Sequence, residues 1–159
     1  MNGYRYLFFD LDNTLWDFDA NAQYTLQVLF ERYQLDKHYP DFLTYYRLYS
    51  ENNANLWRLY GAGKITKEAL NEARFEYPLR AFDASLLHFA PNMQADYLPL
   101  LSQQTRLIPH CIEVLEYLKS KRFKMYIISN GFVEIQRLKL QRSGLLSYFE
   151  RCYFSEHIG

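Results

Sequence analysis

The chain has 159 residues, with Lys plus Arg and Asp plus Glu each numbering 18, so its formal net charge is zero, and 49% of its residues are hydrophobic. That is long enough for one domain with a buried core and a small appended subdomain. The balanced charge excludes a global field favouring a nucleic-acid polymer or an anionic membrane, so any anion recognition has to be local.

The first apolar stretch, Tyr6 to Phe9, is stopped by Asp10, far short of a signal-peptide core or a membrane span, and a cytoplasmic protein is expected. Residues 5–9, "RYLFF", predict a short strand apolar on both faces, as in a central strand of a parallel sheet, with Asp10 at its C-terminal end. From Asn21 the spacing of Leu26, Leu29, Phe30 and Tyr33 predicts a helix. After Pro40, Phe42, Tyr45, Tyr46, Tyr49, Leu56, Trp57 and Tyr60 keep the helical period until "GAGK" at 61–64 breaks it. Thr66 is the expected N-cap of a third helix through Leu70 and Ala73, which Pro78 should end or kink. More helix, interrupted at Pro91 and Pro99, is expected to about Thr105.

Strand signals then return. Pro109 reads as the first position of a helix with Ile112, Leu115 and Leu118 facing inward, and "KMYIIS" at 124–129 as a second buried strand. After the turn "NGF" comes a helix from Val133 to Arg142 closed at Gly144, then a third strand, "RCYFS", at 151–155. The order β, helical insert, α, β, α, β predicts an α/β fold: a Rossmann-like parallel sheet with an all-helical insertion after its first strand. Cys111 and Cys152 lack metal-site spacing and read as small buried apolar residues.

Ligands of such sheets bind at the carboxyl ends of the strands, so Asp10 and Ser129 should face one crevice. There they would offer a carboxylate nucleophile, a hydroxyl donor, Asn130 and Gly131 at a tight turn, and the N–H groups of a helix N-terminus, which are parts for phosphoryl transfer. A turn at "DNT" can bring Asp12 beside Asp10, and two neighbouring anions repel unless a cation intervenes, so the pair implies Mg²⁺. An EF-hand reading fails, because the sixth and twelfth positions counted from Asp10 are Leu15 and Asn21, and from Asp17 they are Ala22 and Val28. A solvated acidic turn and an ordinary "SNG" turn are the bland alternatives. Asp10 and Ser129 following successive strands in the right order is what weighs against them.

"FFDLDNTL" followed by "MYIISNGF" resembles the first two motifs of the haloacid dehalogenase superfamily, and the insert resembles its helical C1 cap. "LWDFDAN", "NLWRLYGAGKITKEALNEARF" and "ISNGFVEIQRLKLQRSGLLSYFERCYFSEHIG" are similar to the pyrimidine 5'-nucleotidase branch, so the likeness covers nearly the whole chain. It implies a partial α/β hydrolase core at 1–15 and 106–159 with its C-terminal strands missing, and a helical cap at 16–105.

The resemblance further implies a Mg²⁺-dependent phosphatase acting on nucleoside 5'-monophosphates through an aspartyl-phosphate. Asp10 would be the nucleophile, Asp12 the general acid and base, and Ser129, with Asn130 and Gly131, the phosphate-binding group. Mg²⁺ would take the Asp10 carboxylate and the Asp12 main-chain carbonyl. Asp12 separates a phosphatase from a dehalogenase, which need not protonate an alkoxide. A sugar-phosphate phosphatase or phosphomutase, or a catalytically silent phosphate-binding module, are the alternatives.

Two residues depart from the family pattern: Asn13 and His110 stand where glycine is common. The family's third-motif lysine and fourth-motif acids have no counterpart up to Gly159, so the 159-residue chain alone is expected to be inactive. Trp57, Tyr60 and Phe132 are candidates for stacking on a base, although aromatic residues at helical spacing more often pack a core.

Overall fold

A computed structural model describes residues 5–157. Its elements in order are β1 (Tyr6–Phe9), α1 (Phe18–Arg32), α2 (Phe42–Gly61), α3 (Lys67–Phe82), α4 (Ala90–Leu101), α5 (Cys111–Ser120), β2 (Lys124–Ser129), α6 (Val133–Arg142) and β3 (Arg151–Phe154), with 3₁₀ turns between them. The three strands form one parallel sheet in the order β1-β2-β3, with Phe9 opposite Ile127 and Ile127 opposite Cys152. The chain divides into two compact units, one of residues 1–22 and 100–159 and the other of residues 23–99. No helix among the described residues is long and apolar enough to cross a membrane.

In the α/β unit one sheet face carries Met125, Ile127, Ser129 and Phe154, all buried. The opposite face departs from the expectation of a strand covered on both sides. Tyr6, Phe8 and Ile128 are exposed, and Phe8 stacks on Tyr126 with ring centroids 5.0 Å apart. β1 lies at the edge of the sheet, paired only to β2 among the described residues. Its apolar alternation reports strand propensity on both faces, but covering the second face needs a partner layer that these residues do not supply.

α6 ends as expected. Gly144 has φ +73°, its N–H donates to Gln141 O (3.2 Å), and the Leu145 N–H donates to Leu140 O (2.9 Å). This is the paired 6→1 and 5→2 arrangement that satisfies the last carbonyls of a helix. α5 departs in two ways. It begins at Cys111, with His110 as N-cap at φ 64°, and its buried residues are Cys111 and Leu115, while Ile112 is exposed. A residue in the left-handed conformation cannot belong to a right-handed helix, so α5 begins after His110.

The helical unit is built around aromatic packing, with Phe30 edge-on to both Tyr39 and Phe42, and Tyr49 against Phe75 and Tyr97. Asp41 caps α2 by accepting the Thr44 N–H (2.7 Å), and Thr66 caps α3 by accepting that of Ala69 (3.2 Å). α1 starts at Phe18, ahead of the expected Asn21, because the Asp17 carboxylate accepts the Ala20 N–H (3.1 Å) and caps the first turn.

Pro78 does not end α3, which runs through it to Phe82. A proline there removes the donor for the carbonyl four residues back, that of Arg74. Asn52 of α2 replaces it, its Nδ2 donating to Arg74 O and to Ala73 O at 3.1 Å each. Tyr39 also donates its hydroxyl to Pro78 O.

Candidate active site

Asp10 is the residue immediately after β1, and Ser129 ends β2, with Asn130 following. Phe8, Phe9, Asp10, Ile128, Ser129 and Asn130 line a shallow crevice of about 260 Å³. Parallel pairing sets this up: two adjacent strands running the same way deliver their last residues to the same sheet edge. Asp10 is exposed, whereas Ser129 is buried beneath the crevice surface.

The segment after Asp10 turns sharply. Thr14, Leu15 and Trp16 all direct their N–H groups to Leu11 O, and the Asn13 N–H donates to Trp16 O (2.8 Å). Asn13 makes the turn with φ 57°, a conformation in which asparagine is the best tolerated residue after glycine, and its Oδ1 accepts the Asp19 N–H (3.1 Å). That accounts for asparagine at a position where the resemblance leads one to look for glycine. The turn is held to the returning chain by Ile108 N–H to Leu15 O (2.9 Å), by Asp17 N–H to Arg106 O (3.1 Å) and by the Asn21 side chain on both main-chain groups of Arg106.

Asp12 does not line the crevice; its carboxylate is gripped by α6. Lys139 Nζ lies 2.7 Å from Asp12 Oδ1, and Gln136 Nε2 donates to Asp12 Oδ2 at 2.8 Å. The same Gln136 nitrogen donates to Ser129 Oγ at 2.7 Å. Asp12 therefore joins the crevice through one amide. Lys139 is 2% exposed, and its ammonium also sits 4.3 Å from the centre of the Trp16 ring and 5.2 Å from that of Phe18. Asp12 thus has a cation of the protein's own beside it. The carboxylate pair therefore does not by itself require Mg²⁺ to offset its charge.

The expected phosphate donors at the turn are partly engaged. The Gly131 N–H donates to Ser129 Oγ (3.3 Å), and the first N–H of α6, that of Val133, donates to Glu156 Oε2 (2.8 Å). Phe132 is buried, and Trp57 and Tyr60 are half-buried and set edge-to-face against each other.

For a divalent cation, with Asp12's carboxylate committed to α6, the Asp10 carboxylate is the exposed acidic group after β1, and the resemblance adds the Asp12 main-chain carbonyl two residues on. No cluster of three or more acidic, His or Cys side chains suited to a metal occurs among the described residues. Two hard oxygen ligands fit Mg²⁺, which keeps several waters and leans on substrate phosphate rather than on a closed protein cage.

Gln136, Lys139 and Glu156 escaped the sequence reading, in which α6 was a plain helix and Glu156 lay beyond the last strand. A signal for the first two was present: with Val133 and Leu140 they occupy the inward positions of α6, where amide and ammonium groups belong only if something buried receives them. Glu156 carried no comparable mark.

Residues 4–159 match the family model described as haloacid dehalogenase-like hydrolase. Two similar relatives are pyrimidine 5'-nucleotidases. PynA of Streptococcus pneumoniae is 31% identical over 98% of this chain and 63% of its own length, and YjjG of Escherichia coli is 30% identical over 97% and 64%. The crystal structure of the HAD-hydrolase YfnB from Bacillus subtilis, bound to magnesium, superposes with a TM-score of 0.79 at 30% identity, covering 97% of this chain and 66% of that one. The chain spans less than two thirds of the length of these relatives.

Proposed function

This chain belongs to the haloacid dehalogenase-like hydrolase family, and from that premise we propose that it is the nucleophile-bearing part of a phosphatase acting on nucleoside 5'-monophosphates. The observation that carries this reading is the placing of Asp10 and Ser129 on one crevice, with Asp12 tied to Ser129 through Gln136. Nucleophile, phosphate donor and acid–base carboxyl, which the sequence scatters over more than a hundred residues, then form one connected unit.

In the proposed reaction an Asp10 carboxylate oxygen attacks phosphorus, and the bond from phosphorus to the ester oxygen breaks. Asp12 protonates the departing nucleoside oxygen. In the second half Asp12 takes a proton from water as that water attacks the aspartyl-phosphate, releasing inorganic phosphate and regenerating Asp10. Ser129 Oγ donates to a phosphoryl oxygen, with Asn130 and Gly131 forming the turn beside it. Mg²⁺, held by the Asp10 carboxylate and the Asp12 main-chain carbonyl, would supply charge neutralisation between nucleophile and phosphate.

The nucleotide assignment is supported by the two relatives named as pyrimidine 5'-nucleotidases. We place substrate selection in the helical insert, which the crevice residues do not include. No nucleic-acid polymer or membrane partner belongs to the proposal.

The test is a phosphate-release screen over nucleoside monophosphates and sugar phosphates with the full-length protein and its Asp10→Asn variant. Preferential hydrolysis of pyrimidine nucleotides, lost in Asp10→Asn, is the expected result. Undiminished turnover in that variant would remove the assignment.

A further inference from the structure

Gln136 and Lys139 stand three residues apart on the buried face of α6, at 1% and 2% exposure, and both reach Asp12. Residues at this spacing project from one side of a helix, so a single element fixes both oxygens of the carboxylate. The Gln136 amide nitrogen donates one hydrogen to Asp12 Oδ2, and its second hydrogen is directed at Ser129 Oγ. Ser129 Oγ also accepts the Gly131 N–H. A serine hydroxyl has two acceptor sites and one proton; with both sites filled, the proton is what it has left to offer.

We propose that Gln136 is a positioning residue that sets the rotamer of Asp12 and orients the Ser129 O–H as a donor toward a bound phosphoryl group, with Lys139 as the second anchor of Asp12. This rests on the phosphatase reading. The packing around the amide explains why residue 131 is glycine: a Cβ there would lie 2.5 Å from Gln136 Cδ and 2.6 Å from Nε2. Gly131 keeps clear the space that the amide fills.

The two functions of the amide separate experimentally. Orienting Ser129 affects every phosphate ester and inorganic phosphate itself. Holding Asp12 affects only esters whose leaving oxygen needs a proton, so a nucleoside is sensitive and p-nitrophenolate, a good leaving group, is not. The test compares full-length wild type, Gln136→Met and Gly131→Ala, the last displacing the amide without deleting it.

Three quantities are read: turnover of a pyrimidine nucleoside monophosphate, turnover of p-nitrophenyl phosphate, and inhibition by inorganic phosphate. Both variants should lower p-nitrophenyl phosphate turnover and weaken phosphate inhibition alike by about 5- to 10-fold, as for one lost hydrogen bond, and should lose roughly a further 10-fold or more in nucleotide kcat. Equal losses on both esters with unchanged phosphate inhibition, or no change at all, would overturn the inference while leaving the phosphatase reading in place. A wild-type protein that hydrolyses neither ester and is blind to phosphate would overturn that reading, and the inference with it.

Discussion

Asp12→Asn and Lys139→Met break the same ion pair, yet they should destabilise the α/β unit unequally. The side chain of Lys139 is 3% exposed and that of Asp12 is 30% exposed. Removing the carboxylate strands a buried ammonium, for which breaking a buried pair costs about 3 to 5 kcal/mol. The Trp16 ring, 4.3 Å away, attracts the ammonium in wild type and variant alike, so it does not offset this loss of about 3 to 5 kcal/mol. Removing the ammonium instead leaves a carboxylate that can hydrate and still accepts from Gln136, a loss of about 1 kcal/mol. The sequence has two tryptophans, so in a Trp57→Phe background the fully buried Trp16 reports the unfolding of this unit alone. Urea titrations followed by its fluorescence should rank wild type above Lys139→Met and Lys139→Met above Asp12→Asn, with the double variant less destabilised than the sum of the singles. Equal losses, or the reverse order, would refute the reasoning from burial.

His110 is held at φ 64° with its imidazole exposed, a conformation that costs an L-residue about 1 to 2 kcal/mol, so His110→Gly should gain about 0.5 to 1 kcal/mol in the same titration after glycine's greater unfolded-state entropy is subtracted. Asn52→Ala should cost the helical unit about 1 to 3 kcal/mol by leaving Arg74 O without a donor, read as a lower urea midpoint by circular dichroism. Burial pushes the Tyr39 hydroxyl up to about 12 and also raises those of Tyr45 and Tyr49. The folded state therefore holds these protons more tightly than the unfolded chain does. Their contribution is intact below pH 10 and is lost as pH climbs toward 12, by up to about 1.4 kcal/mol per pH unit for each proton retained. Tyr39→Phe should flatten that alkaline decline, and an unchanged slope would contradict the assignment to Tyr39.

What the sequence made legible was whatever local periodicity and turn chemistry determine. β2 reads directly from "KMYIIS", α6 from the turn "NGF" before it and Gly144 after it, and the shared sheet edge of Asp10 and Ser129 from two strands of parallel sense. Pro78 does not end α3 because its missing donor is replaced from another helix, by Asn52, and no local pattern carries that information. The open aromatic face of the sheet was misread for a related reason: composition marks Tyr6 and Phe8 as strand formers but does not say what lies over them. Gln136 and Lys139 acquire their significance only when α6 packs beside the turn at Asp12, a contact spanning 124 and 127 residues of sequence.

The central claim is that Asp10 becomes covalently phosphorylated. Full-length protein mixed with a pyrimidine nucleoside monophosphate and Mg²⁺, stopped in acid within the first turnover and mapped by peptide mass spectrometry, tests it most directly. A phosphoryl group on the peptide carrying Asp10, labile to hydroxylamine and absent from Asp10→Asn, is the predicted result. Phosphate release without any acyl-phosphate, or a phosphoryl group on another residue, would contradict it.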